Sequence, residues 1–263
     1  MITPFLLSLM YISFFILLFT SLYLFYRMIK TKLYNLIGLF IFFILYPLQT
    51  ILSSYIPNIL YILTVNLSFI FLTIFVKQTF YNETKSLFPY VISSFIILKV
   101  LDFILRIEFQ FQSLQLIPVD PIEAYFYFIF IISINLQVII PSLWFTYASL
   151  YNYNLIRRKY VEPWLKKRYL VISLSSLIFT IDGIMSFLIL INNIFIFTFL
   201  IYFSVITVTL FSIGNLIGWF MPNRIKEFYN RNFEPSQEEI LSEKELMEKI
   251  RSQLSGSVGN GHN

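Results

Sequence analysis

A lysine, an aspartate and an arginine stand inside an apolar stretch, Leu98-Lys99-Val100-Leu101-Asp102-Phe103-Ile104-Leu105-Arg106. Spaced at i, i+3 and i+7, they fall on one stripe of a helix. Charges in such a setting pair with each other, line a wet cavity, or hold a ligand or a proton. Asp182, in Thr180-Ile181-Asp182-Gly183, has no basic residue in its own apolar run. A carboxyl so placed finds a partner on another helix or keeps its proton, and Lys99 is the candidate partner. Asn66, Asn135 and Gln49 (beside Pro47) add hydrogen-bonding groups at comparable depth in other runs. Together Lys99, Asp102, Asp182, Asn66, Asn135 and Gln49 form a candidate intramembrane polar site, open outward, for an unidentified small ligand or ion. The plainer reading is that Lys99 and Asp102 pair along one helix, Asp102 also reaches Arg106, and the other polar groups link helices.

Other chemistries are excluded or weakly signalled. The chain has no cysteine and one histidine, the penultimate His262. Disulfides and thiolate metal sites are therefore impossible, and no histidine relay can operate among the apolar runs. No metal site and no cofactor is expected. Asp102 and Asp182 are the minimum for an intramembrane aspartyl hydrolase, but Phe179-Thr180-Ile181 precedes Asp182 where those proteases carry Gly-x-Gly. A non-enzymatic role is expected, with that hydrolase as the lesser alternative.

Lipid must surround the elements that position these groups. Hydrophobic residues make up 58% of the 263-residue chain and charged residues only 13%, against roughly 25% charged in soluble domains. Seven apolar runs approach the roughly 20 residues needed to cross about 30 Å of hydrocarbon. They cover about 3–26, 34–54, 57–76, 88–107, 122–149, 169–191 and 194–220. The expected fold is thus an all-α membrane protein, a bundle of seven transmembrane helices over residues 1–221. A cytoplasmic tail, 222–263, follows. The first run lacks a basic segment before it and is too long for a cleaved signal, so it reads as a retained helix. Alanine is nearly missing, so helix contacts should rely on large side chains with scattered Ser and Gly.

Alternate loops differ sharply in Lys and Arg. One set holds Arg27, Lys30, Lys32, Lys77, Lys85, the segment 157–168, Arg224, Lys226 and Arg231; the other holds Glu108, Asp120 and Glu123, with Arg106 at its edge. Cytoplasmic loops carry the basic excess, so the N-terminus is expected outside and the C-terminus in the cytoplasm of a multi-pass cell-membrane protein. Asn82-Glu83-Thr84 has the N-glycosylation pattern, but on the side expected to be cytoplasmic it is read as chance.

The basic face centres on Arg157, Arg158, Lys159, Trp164, Lys166, Lys167 and Arg168. Such a cluster anchors anionic inner-leaflet lipids, or couples to a cytoplasmic protein through loop 150–168 and tail 222–254. Ile225, Phe228, Tyr229 and Phe233 suggest a short interfacial helix. Ser236-Gln237-Glu238-Glu239 is a capping box opening an amphipathic helix at about 237–254, before a disordered end. No nucleic-acid partner is expected.

Three functions fit. A receptor or sensor uses the outward polar group and the basic face. A small-solute or ion carrier of 3+1+3 helix layout would place the tight outer turns in equivalent positions. The intramembrane hydrolase comes third. Retinal pigments need a lysine in the last span, and none lies between 194 and 220; the Asp/Glu-Arg-Tyr and Asn-Pro-x-x-Tyr motifs of G-protein-coupled receptors are missing too. Layout alone assigns no family.

Overall fold

The computed structural model of the chain describes residues 4–52, 58–81, 86–111, 117–157, 162–191 and 193–231, with side chains for all of these but 49–52 and 58–66. The predicted tail helix at 237–254 and the Asn82-Glu83-Thr84 triplet lie outside the described residues. The described architecture is all helical: α1 (Pro4–Thr31), α2 (Ile37–Leu52), α3 (Asn58–Phe80), α4 (Phe88–Phe109), α5 (Pro121–Arg157), α6 (Pro163–Met185), α7 (Ile194–Phe220) and α8 (Asn223–Asn230). Short 3-10 turns precede α2 at Tyr34–Leu36 and extend α6 at Ser186–Ile191.

Local chemistry sets the boundaries. Asp120 caps α5, its Oδ1 accepting from the Ile122 and Glu123 amides at 2.8 and 3.1 Å, and Pro121 fits the first turn because its missing N–H is not needed there. Asn193 caps α7 by accepting from the Phe195 amide at 2.8 Å. At the other ends, Gln110 and Met221 adopt left-handed backbone, φ 54° and 36°, which closes the last turns of α4 and α7 with amide bonds to the Arg106 and Ile217 carbonyls.

The expectation of seven spans is corrected. Five helical stretches are long and apolar enough to cross a membrane: Pro4–Thr31, Phe88–Phe109, Pro121–Arg157, Pro163–Ile191 and Ile194–Phe220. The other two apolar stretches found among the described residues, Tyr34–Leu48 and Leu67–Phe80, are shorter. The physical reason is the length of apolar helix described: at about 1.5 Å per residue these two stretches rise only about 22 and 21 Å, short of the roughly 30 Å of hydrocarbon. A continuous apolar run such as 34–54 gives no sign of this, because hydropathy does not register the 3-10 turn at Tyr34–Leu36. The protein is a multi-pass helical membrane protein.

Helices α1, α2, α3, α5, α6 and α7 pack in ring order, each on the next, and α7 closes on α1. Helix α4 stands outside the ring against α5 and α3. Aromatic rings fill the centre. Phe179 stacks on Phe211 at 4.7 Å between centroids and on Phe69 at 6.3 Å, while Phe42 and Tyr46 of α2 reach Phe211 and Phe179. Outward faces are apolar too: Phe15, Phe19, Ile97, Ile104, Phe199 and Ile206 are all exposed. Apolar side chains both inside and outside are what a lipid solvent permits, since lipid exacts no penalty for apolar exposure.

Contacts closer than large side chains allow fall where the sequence places glycine. A Cβ at Gly214 would lie 2.5 Å from Ser175 Cβ, and one at Gly218 would lie 2.5 Å from Ile172 Cγ1. The α6–α7 seam is therefore tight over its basic half.

Candidate functional site

Two polar clusters occupy different depths of the bundle. The first begins on α4. Its inward stripe carries Lys99, Asp102 and Arg106, while Ile96, Ile97, Val100, Phe103 and Ile107 face outward. Asp102 is buried and accepts from Arg106 Nε at 3.0 Å. Arg106 also donates to the Phe111 carbonyl at 3.4 Å and lies 4.8 Å from the Phe130 ring centroid. The i, i+4 pair thus neutralises the acid within its own helix. Lys99 is half-buried, with Nζ 5.2 Å from the Phe95 ring centroid. Among the described residues it makes no ion pair within 4 Å, although Asp102 and Arg106 are within electrostatic reach.

Beside Lys99, the Leu98 carbonyl accepts two bonds from α5, from Ser133 Oγ at 2.8 Å and Gln137 Nε2 at 2.9 Å. These fasten α4 to the ring. Asn135, between them in sequence, is buried, and its Nδ2 finds no partner among the described residues. One turn further along α5, Pro141 interrupts the backbone ladder. Ser142 donates to the Val138 carbonyl at 2.6 Å and accepts from Thr180 Oγ1 of α6 at 3.0 Å. The Ser142 hydroxyl thus bonds its own helix and links α5 to α6 beside the proline.

Asp182 sits on α6, with its neighbour Gly183 packed against Ile139 of α5. It is buried, and its Oδ2 accepts from Ser204 Oγ of α7 at 3.1 Å. The Thr207 hydroxyl of α7 also lies within reach of the carboxylate, although Oδ1 makes no hydrogen bond within 3.5 Å among the described residues. Lys99 and Asp182 are thus not joined: each has its own neighbours, Lys99 on α4 and Asp182 on α7. Asp102 and Asp182 likewise have separate partners. Gln49 and Asn66 belong to α2 and α3, but their side chains lie outside those described. Sequence reasoning missed Ser204, because one serine among many carries no distinguishing signal.

The second cluster lies where α1, α5, α6 and α7 reach the basic end. Arg168 is buried at 3% exposure although it is a cation. Its guanidinium carbon lies 4.7 Å from the Trp219 ring centroid. Arg27 of α1 donates to the carbonyl of that same Trp219 at 3.4 Å, and the two arginines are within electrostatic reach of each other. Helix α8 completes the group. Lys226 Nζ lies 4.6 Å from the Trp164 ring centroid, Asn230 Oδ1 accepts from the Trp164 amide at 3.4 Å, and the Trp164 indole donates to Glu162. Burial, with the Arg27 and Arg168 charges adding, pushes the Lys226 ammonium below its ordinary range, against the pull of Glu162. Lys166 donates to the Arg157 carbonyl at 3.2 Å, and Lys167 and Arg157 are exposed. Arg158 and Lys159 lie outside the described residues. In the sequence, Arg27 and Lys226 had read only as orientation charges, and Trp219 had drawn no attention.

The described Asp and Glu residues include no cluster that could hold a metal ion. Compared with protein families, curated proteins and solved structures, the chain matches none.

Proposed function

We propose that the protein is a receptor-like membrane sensor, with a polar site at Asp182 and Ser204 and a coupling face at the basic end. One observation carries this reading: the same helix pair, α6 and α7, makes a polar contact at both depths. Asp182 meets Ser204, and 14 residues back along α6 Arg168 meets Trp219 of α7. At about 1.5 Å per residue the contacts are roughly 21 Å apart along α6. Between them the pair is packed ring on ring at Phe179 and Phe211 and backbone-close at Gly214. A tightly packed pair moves as a unit rather than deforming continuously. A ligand or ion at the Asp182 carboxylate would therefore bias the basic end, provided it binds the two arrangements unequally. On this reading the basic end faces the cytoplasm, where a protein partner reads it, and neither aspartate is catalytic.

A carrier would have to open the ring centre that Phe42, Phe69, Phe179 and Phe211 now fill. The cysteine-free chain makes the test direct. Spin labels at Leu150→Cys on α5 and Phe228→Cys on α8, both exposed, report the geometry of the basic end in reconstituted protein. Adding Asp182→Asn should shift the distance distribution. An unchanged distribution counts against coupling, and solute uptake into vesicles that Asp182→Asn abolishes would favour a carrier.

A further inference from the structure

We propose that the Asp182 carboxylate, together with the Ser204 and Thr207 hydroxyls, binds a monovalent alkali cation. This ion is the ligand of the sensor reading's polar site, and its assignment rests on that reading. Three features of the place call for positive charge. Asp182 is 8% exposed, and among the described residues no lysine or arginine pairs with it. Its partner Ser204 stands ten residues into α7, about 15 Å from that end of the helix and near the middle of a roughly 30 Å hydrocarbon layer. An ionised carboxylate at such a depth is costly unless a cation accompanies it. The second feature is its position on α6. Asp182 opens the last α-helical turn, Asp182-Gly183-Ile184-Met185, before the 3-10 stretch Ser186–Ile191, and that turn holds no basic residue. A helix carries the negative end of its dipole there, so the dipole repels the carboxylate charge and both favour a cation.

The third feature is the balance of protons and oxygens. Ser204 gives its one hydroxyl proton to Asp182 Oδ2 at 3.1 Å. The Thr207 proton has three claimants: the Phe203 carbonyl at 3.0 Å, the Ser204 carbonyl at 2.9 Å and the carboxylate. Oδ1 makes no hydrogen bond among the described residues. Spare lone pairs on Oδ1 and on both hydroxyl oxygens are what a hard cation takes. Ser204 and Thr207 are three residues apart on α7 and share a face, so one ion can touch both hydroxyls and the acid. Charge selects a monovalent ion. One carboxylate balances one positive charge, and among the described residues no further acid joins the cluster, which leaves a divalent ion unmatched. A proton would neutralise the acid from one oxygen alone, whereas an ion uses all three side chains and ties α6 to α7 at this depth.

Full-length protein in detergent, in mildly alkaline choline chloride, is titrated with sodium chloride or potassium chloride at constant ionic strength while its unfolding temperature is followed. Sodium should raise that temperature saturably, by roughly 5 °C or more when the ion stands about 100 times above its Kd. Asp182→Asn should abolish the rise. Ser204→Ala should move half-saturation to an about tenfold higher concentration, the scale of one lost bond to a charged group, and Ser204→Thr, which keeps the oxygen, should restore it. The half-buried Ser204 keeps the test valid if the Asp182 variant does not fold. Saturation by potassium in place of sodium, with the same dependence on Ser204, supports the same site with a wider ion. The absence of a saturable rise with either ion overturns the proposal; stabilisation on acidifying that Asp182→Asn removes would then assign the site to a proton. A rise that neither Asp182→Asn nor Ser204→Ala alters overturns it too. Cation binding together with an unmoved label distance in the Asp182 variant would leave this site standing and remove the sensor reading. A moved distance without any cation effect would do the reverse.

Discussion

Replacing Asp102 by Asn removes the charge that Arg106 faces across 3.0 Å while keeping the side chain's shape. The side chains are 4% and 15% exposed, so little water can compensate. Removing one partner of a buried pair costs on the order of 3–5 kcal/mol. Here the low end applies, because Arg106 keeps the Phe111 carbonyl and the Phe130 ring, leaving about 3 kcal/mol. For a chain of this size that corresponds to a fall of roughly 6–12 °C in unfolding temperature. The double replacement, Asp102→Leu with Arg106→Met, should recover most of the loss, since an apolar pair of similar volume carries no stranded charge. Intrinsic fluorescence during heating in detergent measures all variants. An Asp102→Asn protein that unfolds at the wild-type temperature would refute the reasoning. So would a double variant whose loss equals the sum of the singles, which would mean that the two groups do not interact.

Gly38→Ala should destabilise the α2–α3 contact by about 1–3 kcal/mol, because the new Cβ would meet the Phe71 backbone oxygen at 2.7 Å and backbone cannot step aside; the same thermal scan checks it. Phe179→Ala should cost about 3 kcal/mol or more, as the ring stacks on both Phe211 and Phe69. Tyr81, just past the end of α3, has its phenol pushed by burial up to about 12 from 10.0, with Tyr147 adding to the shift. A group whose folded pKa is raised favours the fold below its unfolded value and loses that contribution as pH climbs through the folded one. Stability should therefore decline between pH 10 and 12, and Tyr81→Phe should flatten that decline in pH-dependent unfolding. A decline of equal size in Tyr81→Phe would assign it elsewhere.

Which parts of this structure were legible in the sequence follows from the range of the interactions. The helix Ile194–Phe220 could be read directly, since a long apolar run between Asn193 and Met221-Pro222 specifies a helix by local chemistry alone. The Asp102–Arg106 pair was legible for the same reason, because i, i+4 spacing fixes proximity within one helix. The contact between Asp182 and Ser204 spans 22 residues, and nothing local selects that serine from its neighbours. Arg27 and Trp219 are 192 residues apart and meet only because α1 closes the ring on α7. The span count departs at the second and third runs, because hydropathy records how apolar a run is and not how long an apolar helix it makes. The proposed partnership of Lys99 with Asp182 rested on similar depth, and depth says nothing about which way two helices face.

The central claim, that α1 and α4 to α7 carry the chain across the membrane with its basic end inside, has a direct test. Because the native chain lacks cysteine, single cysteines can be introduced at four exposed positions, Tyr34, Tyr125, Phe195 and Phe228, and treated with a membrane-impermeant maleimide. Tyr125→Cys and Phe195→Cys should react in intact cells, and Tyr34→Cys and Phe228→Cys only after permeabilisation. Labelling of Phe195→Cys and Phe228→Cys from the same side of intact cells would contradict the account.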